Sequence, residues 1–430
     1  MRLIADPEEI TEFLICLRER RAAPDPEVEA SVRAILEDVR LRGDAALCAL
    51  TEKLDGAPLT PATLRVEAGE RRAALEALDP AARAALELAA ERITAFHTRQ
   101  RRESWLVPEP GYGMFGQLAH PIRRVGVYVP GGTAAYPSSV LMNAIPARVA
   151  GVEEIVLCTP PGKDGRVPLA VLAAAELLNL REVFRVGGAQ AIAALAYGTA
   201  SIRAVDKIVG PGNVYVATAK RLVFGLVGID AVAGPSEVLV VADETATPAW
   251  VAADLLAQAE HDPRAAAICL TPSQRVGREV QTDVARQLAA LSRQAIAARS
   301  LDRYGAVIRV PDLAAAISLA NEIAPEHLEL LVADPWSLVP SVRCAGAVFL
   351  GHHTPEAAGD YLAGPNHVLP TGGTARFSSG LSVDDFQTRS SLLALTPEAL
   401  ATWRAPIVRL AELEGLTAHA RAITIRTEGA

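Results

Sequence analysis

Three segments of the chain combine residue types that can bind a metal ion or move a proton. The first, DLLAQAEHDP, carries Asp254, Gln258 and His261. Spacings of four and three residues place these side chains on one face of a helix. Carboxylate, amide oxygen and imidazole can all bind a divalent metal. From this segment alone, an ordinary polar helix face is the simpler interpretation.

The second segment is Pro325-Glu326-His327, which separates a predicted helix over 313–324 from a predicted strand over 328–332. Connections of this kind place neighbouring polar side chains at the edge of a sheet. A carboxyl group and an imidazole side by side can divide the work of a base and an acid near neutral pH. A solvated turn after the helix is equally compatible with this segment.

The third segment, residues 351–391, is rich in Gly, Pro, Thr and Ser. Asp360 and His367 lie seven residues apart in it. A connection of this length inside a compact chain is usually functional, and glycine permits close approach of the backbone to a ligand. Glu414 and His419, in the C-terminal tail, are weak candidates by themselves because a histidine in a tail is usually solvated.

Three glycine turns follow predicted strands and precede predicted helices. They are Val129-Pro-Gly-Gly132, Val186-Gly-Gly-Ala-Gln190 and Val209-Gly-Pro-Gly-Asn213. Doubly wound folds bind nucleotides at such turns. None of the turns completes the GxGxxG pattern, since Tyr215 stands where the third glycine would be. The phosphate-binding P-loop pattern is absent, which disfavours phosphoryl transfer through such a loop.

The elements that would position these residues alternate between strand and helix from about residue 123 onward. This alternation predicts parallel α/β sheets in two tandem units, with a boundary near 233–236. Residues 1 to about 105 are predicted to be helical, and the tail after Pro397 contains one amphipathic helix that needs a surface to dock on. The predicted strands are 125–129, 155–159, 183–186, 207–209, 238–241, 267–270, 306–310, 328–332 and 347–350.

Composition excludes several classes of protein. Half of the 430 residues are hydrophobic, which rules out a wholly disordered chain. A net charge of −8 without a basic cluster disfavours partners such as nucleic acid or an anionic membrane. No stretch resembles the ~20 apolar residues of a membrane-spanning helix. Five scattered cysteines without a CxxC pair argue against a disulfide framework, so a cytoplasmic location is expected.

The motifs taken together are more specific than any one of them. From about Arg123 to His419 the chain resembles the L-histidinol dehydrogenase family, and the motifs occur in the order typical of that family. They are GVYVPGG, PSSVLMNAIPA, VGGAQAIAALAYGT, GPGN, GPSEVLVVAD, DLLAQAEHDP, APEHLEL, GDYLAGPNHVLPT and GLSV followed by DF.

The resemblance implies a zinc enzyme that oxidises L-histidinol to L-histidine, through bound L-histidinaldehyde, with two molecules of NAD⁺. Glu326 and His327 would be the acid–base pair. The implied zinc ligands, one ion per subunit, are Gln258, His261, Asp360 and His419. The substrate would contact these four residues together with Ser236, His327, His367 and Glu414. The implied NAD contacts are Tyr128, Gln190 and Asn213.

The resemblance also implies a fold class and a partner. The fold would be α/β, with two tandem, incomplete Rossmann-like parallel-sheet domains, a helical N-terminal region and a small C-terminal tail domain. Its divisions would be an arm over 1–22, a first domain over 23–127 and 237–380, a second over 128–236, and a tail over 381–430. The partner would be a second copy of the chain, in a homodimer whose tails supply Glu414 and His419 in trans.

Alternatives to this function remain open from the residues alone. One is a paralogous dehydrogenase of another small alcohol, which Glu414 and His419 together argue against. Another is a zinc hydrolase with Glu326 as its base, although no HExxH helix is present and the glycine turns would have no purpose. A non-catalytic binding module would leave the ligand set unexplained. Thr388 stands where the family commonly has lysine, which concerns the loop after the site.

Overall fold

A computed structural model of the chain describes residues 1–20, 26–131 and 135–428. Strands and helices alternate through most of this length. The strands are β1 Arg2–Ile4, β2 Trp105–Glu109, β3 Gly113–Pro121, β4 Arg124–Tyr128, β5 Glu154–Thr159, β6 Glu182–Arg185, β7 Lys207–Val209, β8 Gly228–Ile229, β9 Glu237–Ala242, β10 Ala266–Thr271, β11 Gly305–Arg309, β12 His327–Leu331, β13 Ala347–Leu350 and β14 Gln387–Leu395.

The helices cover most of the remaining chain. They are α1 Pro7–Glu19, α2 Pro26–Arg42, α3 Asp44–Asp55, α4 Ala68–Glu76, α5 Pro80–Thr98, α6 Pro137–Ala150, α7 Leu169–Leu177, α8 Gly188–Tyr197, α9 Val214–Val223, α10 Pro248–Ala259, α11 Gln274–Leu288, α12 Gln294–Tyr304, α13 Leu313–Ile323, α14 Glu356–Tyr361, α15 Pro397–Leu413 and α16 Thr417–Thr427. Among the described residues, no helix is both long and apolar enough to span a bilayer.

The larger sheet has six parallel strands in the order β1-β11-β10-β9-β12-β13. Its central strands β9, β10 and β12 are buried along their whole length. This burial explains their continuous apolar runs, because helices cover both faces of a parallel sheet. One face packs against α1 through Phe13 and Leu17, and the other packs against α10 and α11.

The smaller parallel sheet has five strands in the order β6-β5-β4-β7-β8. Helix α6 contacts α5 and α7, and α7 also contacts α4. On the other side α8 and α9 lie between the sheet and α2. Two parallel sheets with crossing helices confirm the predicted fold class. Every predicted strand of the two series is present, with ends close to those expected.

The N-terminal third packs differently from the predicted division of the chain. Helices α2, α4 and α5 contact helices of the five-stranded sheet, and β4 belongs to that sheet from Arg124. The prediction instead grouped 23–127 with 237–380. Residues 1–20 supply β1 and α1 to the six-stranded sheet, so this segment is part of its core and not a separate arm. Helical periodicity indicates which face is apolar but not which sheet receives it.

A third sheet was not predicted. Strands β14, β3 and β2 are antiparallel, with β3 in the middle, so the connection before the tail ends in a strand. Thr388 lies on β14 opposite His120 and is exposed. The tail forms two helices instead of one, α15 and α16, which pack on each other. Trp403 of α15 stacks on Tyr112, with ring centroids 5.0 Å apart, and so attaches the tail to this sheet.

Candidate active site

The Glu326–His327 pair lies at the amino end of β12. Helix α13 ends at Ile323, and Ala324 adopts a left-handed conformation (φ 52°) before the proline at 325. This turn directs both side chains into the protein, where they are buried. The solvated-turn interpretation of this segment is therefore wrong.

Both members of the pair are bound to the first residue of β9. The amide N–H of Glu237 donates to Oε2 of Glu326 at 2.9 Å. Nδ1 of His327 lies 3.1 Å from the carbonyl oxygen of Glu237 and 3.1 Å from the side-chain nitrogen of Gln258. The backbone of one residue thus fixes the carboxyl group and the imidazole relative to each other.

Helix α14 adds two carboxyl groups to the pair. Oδ1 of Asp360 is 3.7 Å from Nε2 of His327, and Oε1 of Glu356 is 3.7 Å from Nδ1. Nε2 of His327 and Oε2 of Glu356 are buried and have no hydrogen-bond partner among the described residues. One ligand atom from each of His327, Glu356 and Asp360 lies within 4.8 Å of the others, so this group could hold a metal ion.

Burial and the surrounding charges alter the proton affinities of the pair. Burial raises the pKa of Glu326 to about 7, although the His327 charge and the Glu237 amide oppose the rise. Burial alone would lower the pKa of His327, but Glu356, Glu326 and Asp360 raise it to about 10. The expectation that the imidazole of His327 works as a base near neutral pH is thus not supported by its raised pKa. Glu326 is the group that titrates there.

Gln258 and His261 lie at the carboxyl-terminal end of α10. Gln258 is fully buried, so the interpretation of its helix face as an ordinary polar surface is wrong. Asp254, one turn earlier, interacts with the buried carboxyl group of Glu329. His261 is exposed in the turn after α10. Desolvation lowers the pKa of His261, while the nearby Asp360 carboxylate opposes that change.

Two other predicted substrate residues border the cluster. Nδ1 of His367 lies 3.1 Å from the carbonyl oxygen of Asp360, and its Nε2 lies 3.4 Å from the Ser139 hydroxyl. Ser236 is half-buried and immediately precedes Glu237, the residue that binds the pair. Burial alone would raise the pKa of Asp360, but His327, His367 and His261 lower it overall.

Two predicted residues are not brought to the cluster. Glu414 follows α15 directly and His419 lies in α16, and both are exposed. Among the described residues, their side chains form no hydrogen bond or ion pair with the cluster. Within one chain, the four implied zinc ligands therefore do not converge.

The three predicted NAD residues lie at the carboxyl edge of the five-stranded sheet. Tyr128 ends β4, Gln190 is in the first turn of α8, and Asn213 caps α9 by accepting from the Tyr215 and Val216 amides. The Tyr128 hydroxyl accepts from the Gly188 amide at 3.1 Å. Oε1 of Gln190 is buried without a partner among the described residues.

A buried ion pair holds the third glycine turn at this edge. The Gly210 amide donates to Asp230 at 2.7 Å, and Nζ of Lys220 donates to the Gly210 carbonyl at 2.9 Å and to Asp230. Gly210 has φ 116°, and a Cβ there would be 2.0 Å from the Tyr128 carbonyl oxygen. Glycine is required because the two strand ends approach so closely. Asp230 thus binds the protein backbone and Lys220.

Three buried carboxyl groups of the site were missed in the sequence. Glu329 follows His327 by two residues on a strand, so the two share a face. Glu356 precedes Asp360 by four residues, the spacing of neighbours on a helix. These spacings were available signals. Glu237 had none, because its role depends on the pairing of β9 with β12.

Two parallel sheets, with a buried glutamate–histidine pair and a potential cation site at the edge of one, have the architecture of an α/β enzyme. Comparison with known proteins identifies the family. The family model described as histidinol dehydrogenase matches residues 18–427. The chain belongs to the histidinol dehydrogenase family and is therefore an oxidoreductase of histidine biosynthesis.

Individual relatives agree over nearly the full length. A protein named histidinol dehydrogenase from Syntrophotalea carbinolica is 56% identical over 427 residues, which are 99% of each chain. One from Geobacter metallireducens is 54% identical over 405 residues, covering 94% of this chain and 92% of its own. The crystal structure of histidinol dehydrogenase from Elizabethkingia anophelis has a TM-score of 0.94 and 37% identity, covering 100% of this chain and 98% of that one.

Proposed function

We propose that this chain oxidises L-histidinol to L-histidine in two NAD⁺-dependent steps, through bound L-histidinaldehyde, with the help of one zinc ion per subunit. The observation that carries the proposal is the buried Glu326–His327 pair, bound to one backbone residue and flanked by Asp360. A pair of groups with well-separated proton affinities suits a reaction that needs more than one proton transfer.

The donor atoms near Asp360 fit a divalent cation. Buried atoms without hydrogen-bond partners on His327 and Glu356, together with the carboxylate of Asp360, concentrate potential metal-ligand atoms in one place. We assign the ion to Gln258, His261 and Asp360, because His261 is exposed and a substrate can reach the ion from that side. Bound there, zinc would supply a template that orients the amine and imidazole of the substrate.

Glu326 and His327 accept protons in different steps of the reaction. Nε2 of His327, the nitrogen without a partner, accepts the proton of the substrate alcohol in the first oxidation. This requires the neutral imidazole, and positive charge brought by substrate and metal opposes the carboxyl groups that hold His327 protonated. Glu326, whose pKa is about 7, accepts a proton from the water that hydrates the aldehyde before the second oxidation.

The carboxyl edge of the five-stranded sheet is the proposed NAD site. Its strand order reverses between β4 and β7, and open α/β sheets bind ligands at such a point. Bound there, NAD⁺ would supply the hydride acceptor. Gln190 offers a buried oxygen without a partner, Asn213 offers an exposed amide, and Tyr128 holds the turn at Gly188.

The second copy of the chain would complete the site. Glu414, directly after α15, and His419, in α16, are exposed and, among the described residues, form no hydrogen bond or ion pair with the cluster of their own chain. We therefore propose that they serve a neighbouring subunit. Exchange of an element between subunits is a common way to form a dimer. All five cysteines are free thiols, which suits the proposed cytoplasmic location.

The direct test is the absorbance of NADH after mixing the purified protein with NAD⁺ and L-histidinol. We expect two NADH per histidinol, loss of activity on chelation and recovery with zinc. Another small primary alcohol serves as the control for a paralogous dehydrogenase, and an ester or amide of histidine serves as the control for a hydrolase. Release of histidine from the ester, without NADH formation from histidinol, would contradict the proposal.

Complementation tests the shared site. His261→Ala and His419→Ala, each inactive alone, are unfolded together and refolded. With random pairing, about half of the dimers are mixed and about a quarter of all sites carry no lesion, so that fraction of activity should return. If His419 serves its own chain, every site keeps one lesion, and a refolded mixed dimer without activity would reject the shared site.

A further inference from the structure

We propose that Arg20, which directly follows α1, is a positioning residue for the Glu326–His327 pair. This inference rests on the proposed function of that pair. The first twenty residues contain none of the motifs, and their sequence predicts only packing. The structure gives their last described residue a place next to the site.

The guanidinium of Arg20 is buried in an ion pair. Its side chain is 1% exposed, and that of its partner Glu237 is 4% exposed. Nη2 donates to Oε1 of Glu237, and Nη1 donates to the carbonyl oxygen of Arg264 at 2.7 Å and lies 3.5 Å from that of Ser236. The Tyr304 ring lies 5.5 Å away, in cation–π range.

These contacts join two segments that build the active site. Ser236 and Glu237 start β9, and the Glu237 backbone binds both members of the acid–base pair. Arg264 follows the turn that carries His261. The Ala266 amide donates to the Ser236 carbonyl at 3.0 Å, so the two segments already meet at this point. Arg20 holds this junction with one planar group.

An arginine suits this role for a physical reason. Its fork of N–H groups can bind a carboxylate and carbonyl oxygens at once, whereas a lysine offers a single point charge. Helix α1 is itself anchored, because Phe13 and Leu17 are fully buried in the core of the six-stranded sheet. The guanidinium is therefore delivered from a rigid element.

Loss of Arg20 would remove a buried positive charge from the Glu237 carboxylate, beside the carboxyl group of Glu326. The start of β9 would also lose its connection to residue 264. The acid–base pair would then be less well oriented, while the carboxyl edge of the five-stranded sheet would be untouched. We therefore expect kcat to fall and KM for NAD⁺ to stay unchanged.

The experiment compares Arg20→Met and Arg20→Lys with two control variants of the full-length protein. Arg18→Met removes an exposed ion pair with Glu322 from the same helix. Arg124→Met removes a buried guanidinium, paired with the partly exposed Glu154 and Glu182, from the amino edge of the other sheet. We expect kcat to fall about 10²-fold in Arg20→Met and less in Arg20→Lys, with both controls near the wild type.

Hydrogen exchange measured by mass spectrometry adds a readout that does not depend on turnover. The Glu237 and Ala266 amides should exchange faster in Arg20→Met than in Arg18→Met. If Arg20→Met does not fold, Arg20→Lys is compared with the same controls by both measurements. Wild-type protein that forms no NADH from histidinol would reject the proposed function, and the exchange result would still test the contact.

Two outcomes would overturn the role of Arg20. One is a folded Arg20→Met variant with kcat within about twofold of the wild type and unchanged exchange. The other is an equal fall of kcat in Arg124→Met, because the loss would then follow from general destabilisation.

Discussion

The two parallel sheets of this chain have the same strand order, but their candidate sites lie at opposite edges. In the six-stranded sheet β11-β10-β9-β12-β13 repeats the arrangement of β6-β5-β4-β7-β8 in the other. The Glu326–His327 cluster lies where β9 and β12 begin. The proposed NAD site lies where β4 and β7 end. A fold-level rule would have predicted ligands at the carboxyl edge of both sheets.

Helix ends explain the difference between the edges. At the carboxyl edge of a parallel sheet the following helices begin, and their free amides attract anions such as a pyrophosphate. At the amino edge the preceding helices end, and their carbonyl groups favour positive charge. Gln190 and Asn213 lie at helix starts, whereas Gln258, His261 and Glu326 lie at or just after helix ends. The proposed cation site thus lies at the electronegative edge.

The largest expected effect comes from the amino edge of the six-stranded sheet. Glu326→Gln should lower the oxidation of supplied histidinaldehyde, and His327→Asn should lower the oxidation of histidinol, each by about 10²–10⁴-fold. The measurement is NADH formation from each substrate separately. Glu322→Gln, an exposed change on α13, is the control. Equal and mild effects on both steps would contradict the separate tasks.

The zinc content of two variants distinguishes the proposed ligand set, which includes His261, from the buried group that includes Glu356. His261→Ala should lose zinc and turnover, because His261 is a proposed zinc ligand. Glu356→Gln should keep zinc, although Glu356 lies near His327 and Asp360 in the buried group. The check is zinc per chain by elemental analysis after gel filtration. Zinc loss in Glu356→Gln alone would move the ion to the buried group.

Lys220→Met, at the carboxyl edge of the five-stranded sheet, should lower both the free energy of unfolding and the affinity for NAD⁺. Lys220 and Asp230 are both buried, and removing one member of such a pair costs about 3–5 kcal/mol. The turn at Gly210 would loosen, so KM for NAD⁺ should rise while metal content stays constant. Chemical unfolding and steady-state kinetics measure both. Lys207→Met, at the less buried pair with Asp385, is the control, and an identical response there would contradict a specific role.

Asp55→Asn should have the smallest effect, and the effect should be stabilising. Asp55 ends α3, and one of its carboxyl oxygens is buried without a partner among the described residues. Burial raises the pKa of Asp55 from 3.8 to about 6, so the folded chain keeps a proton that the unfolded chain releases in that range. The free energy of unfolding therefore falls as pH rises from about 4 to about 6.

The Asp55→Asn variant does not lose free energy of unfolding in this way, because asparagine does not titrate. It should be more stable than the wild type by about 1–2 kcal/mol above that range, less than the full shift implies because solvent screens a partly exposed carboxyl group, and equal to it below. Unfolding midpoints at both ends of the range provide the measurement, and kcat should be unchanged. A stabilisation independent of pH would show that the carboxyl group is not the cause. Glu326 is also a carboxyl group with a raised pKa, yet its replacement should lower turnover by about 10²–10⁴-fold.

The sequence by itself determined nine of the eleven strands of the two parallel sheets, all except β1 and β8, and indicated candidate residues for the site. Apolar runs predicted the strands, and the glycine turns, Glu326–His327 and Asp360 were recognisable from residue type and spacing. These signals are local, because strand and helix periods depend only on neighbouring residues. The pattern of motifs was sufficient to indicate the family.

Only the tertiary structure decided which distant segments meet at the start of β9 and β12 and which side chains surround His327 there. The return of α14 across β12 brought Glu356 to His327, and the pairing of β9 with β12 gave the Glu237 backbone its role. Arg20 reached the same junction from more than two hundred residues away in sequence. Such contacts depend on long-range packing of apolar faces, and a local pattern carries no information about which distant face completes it.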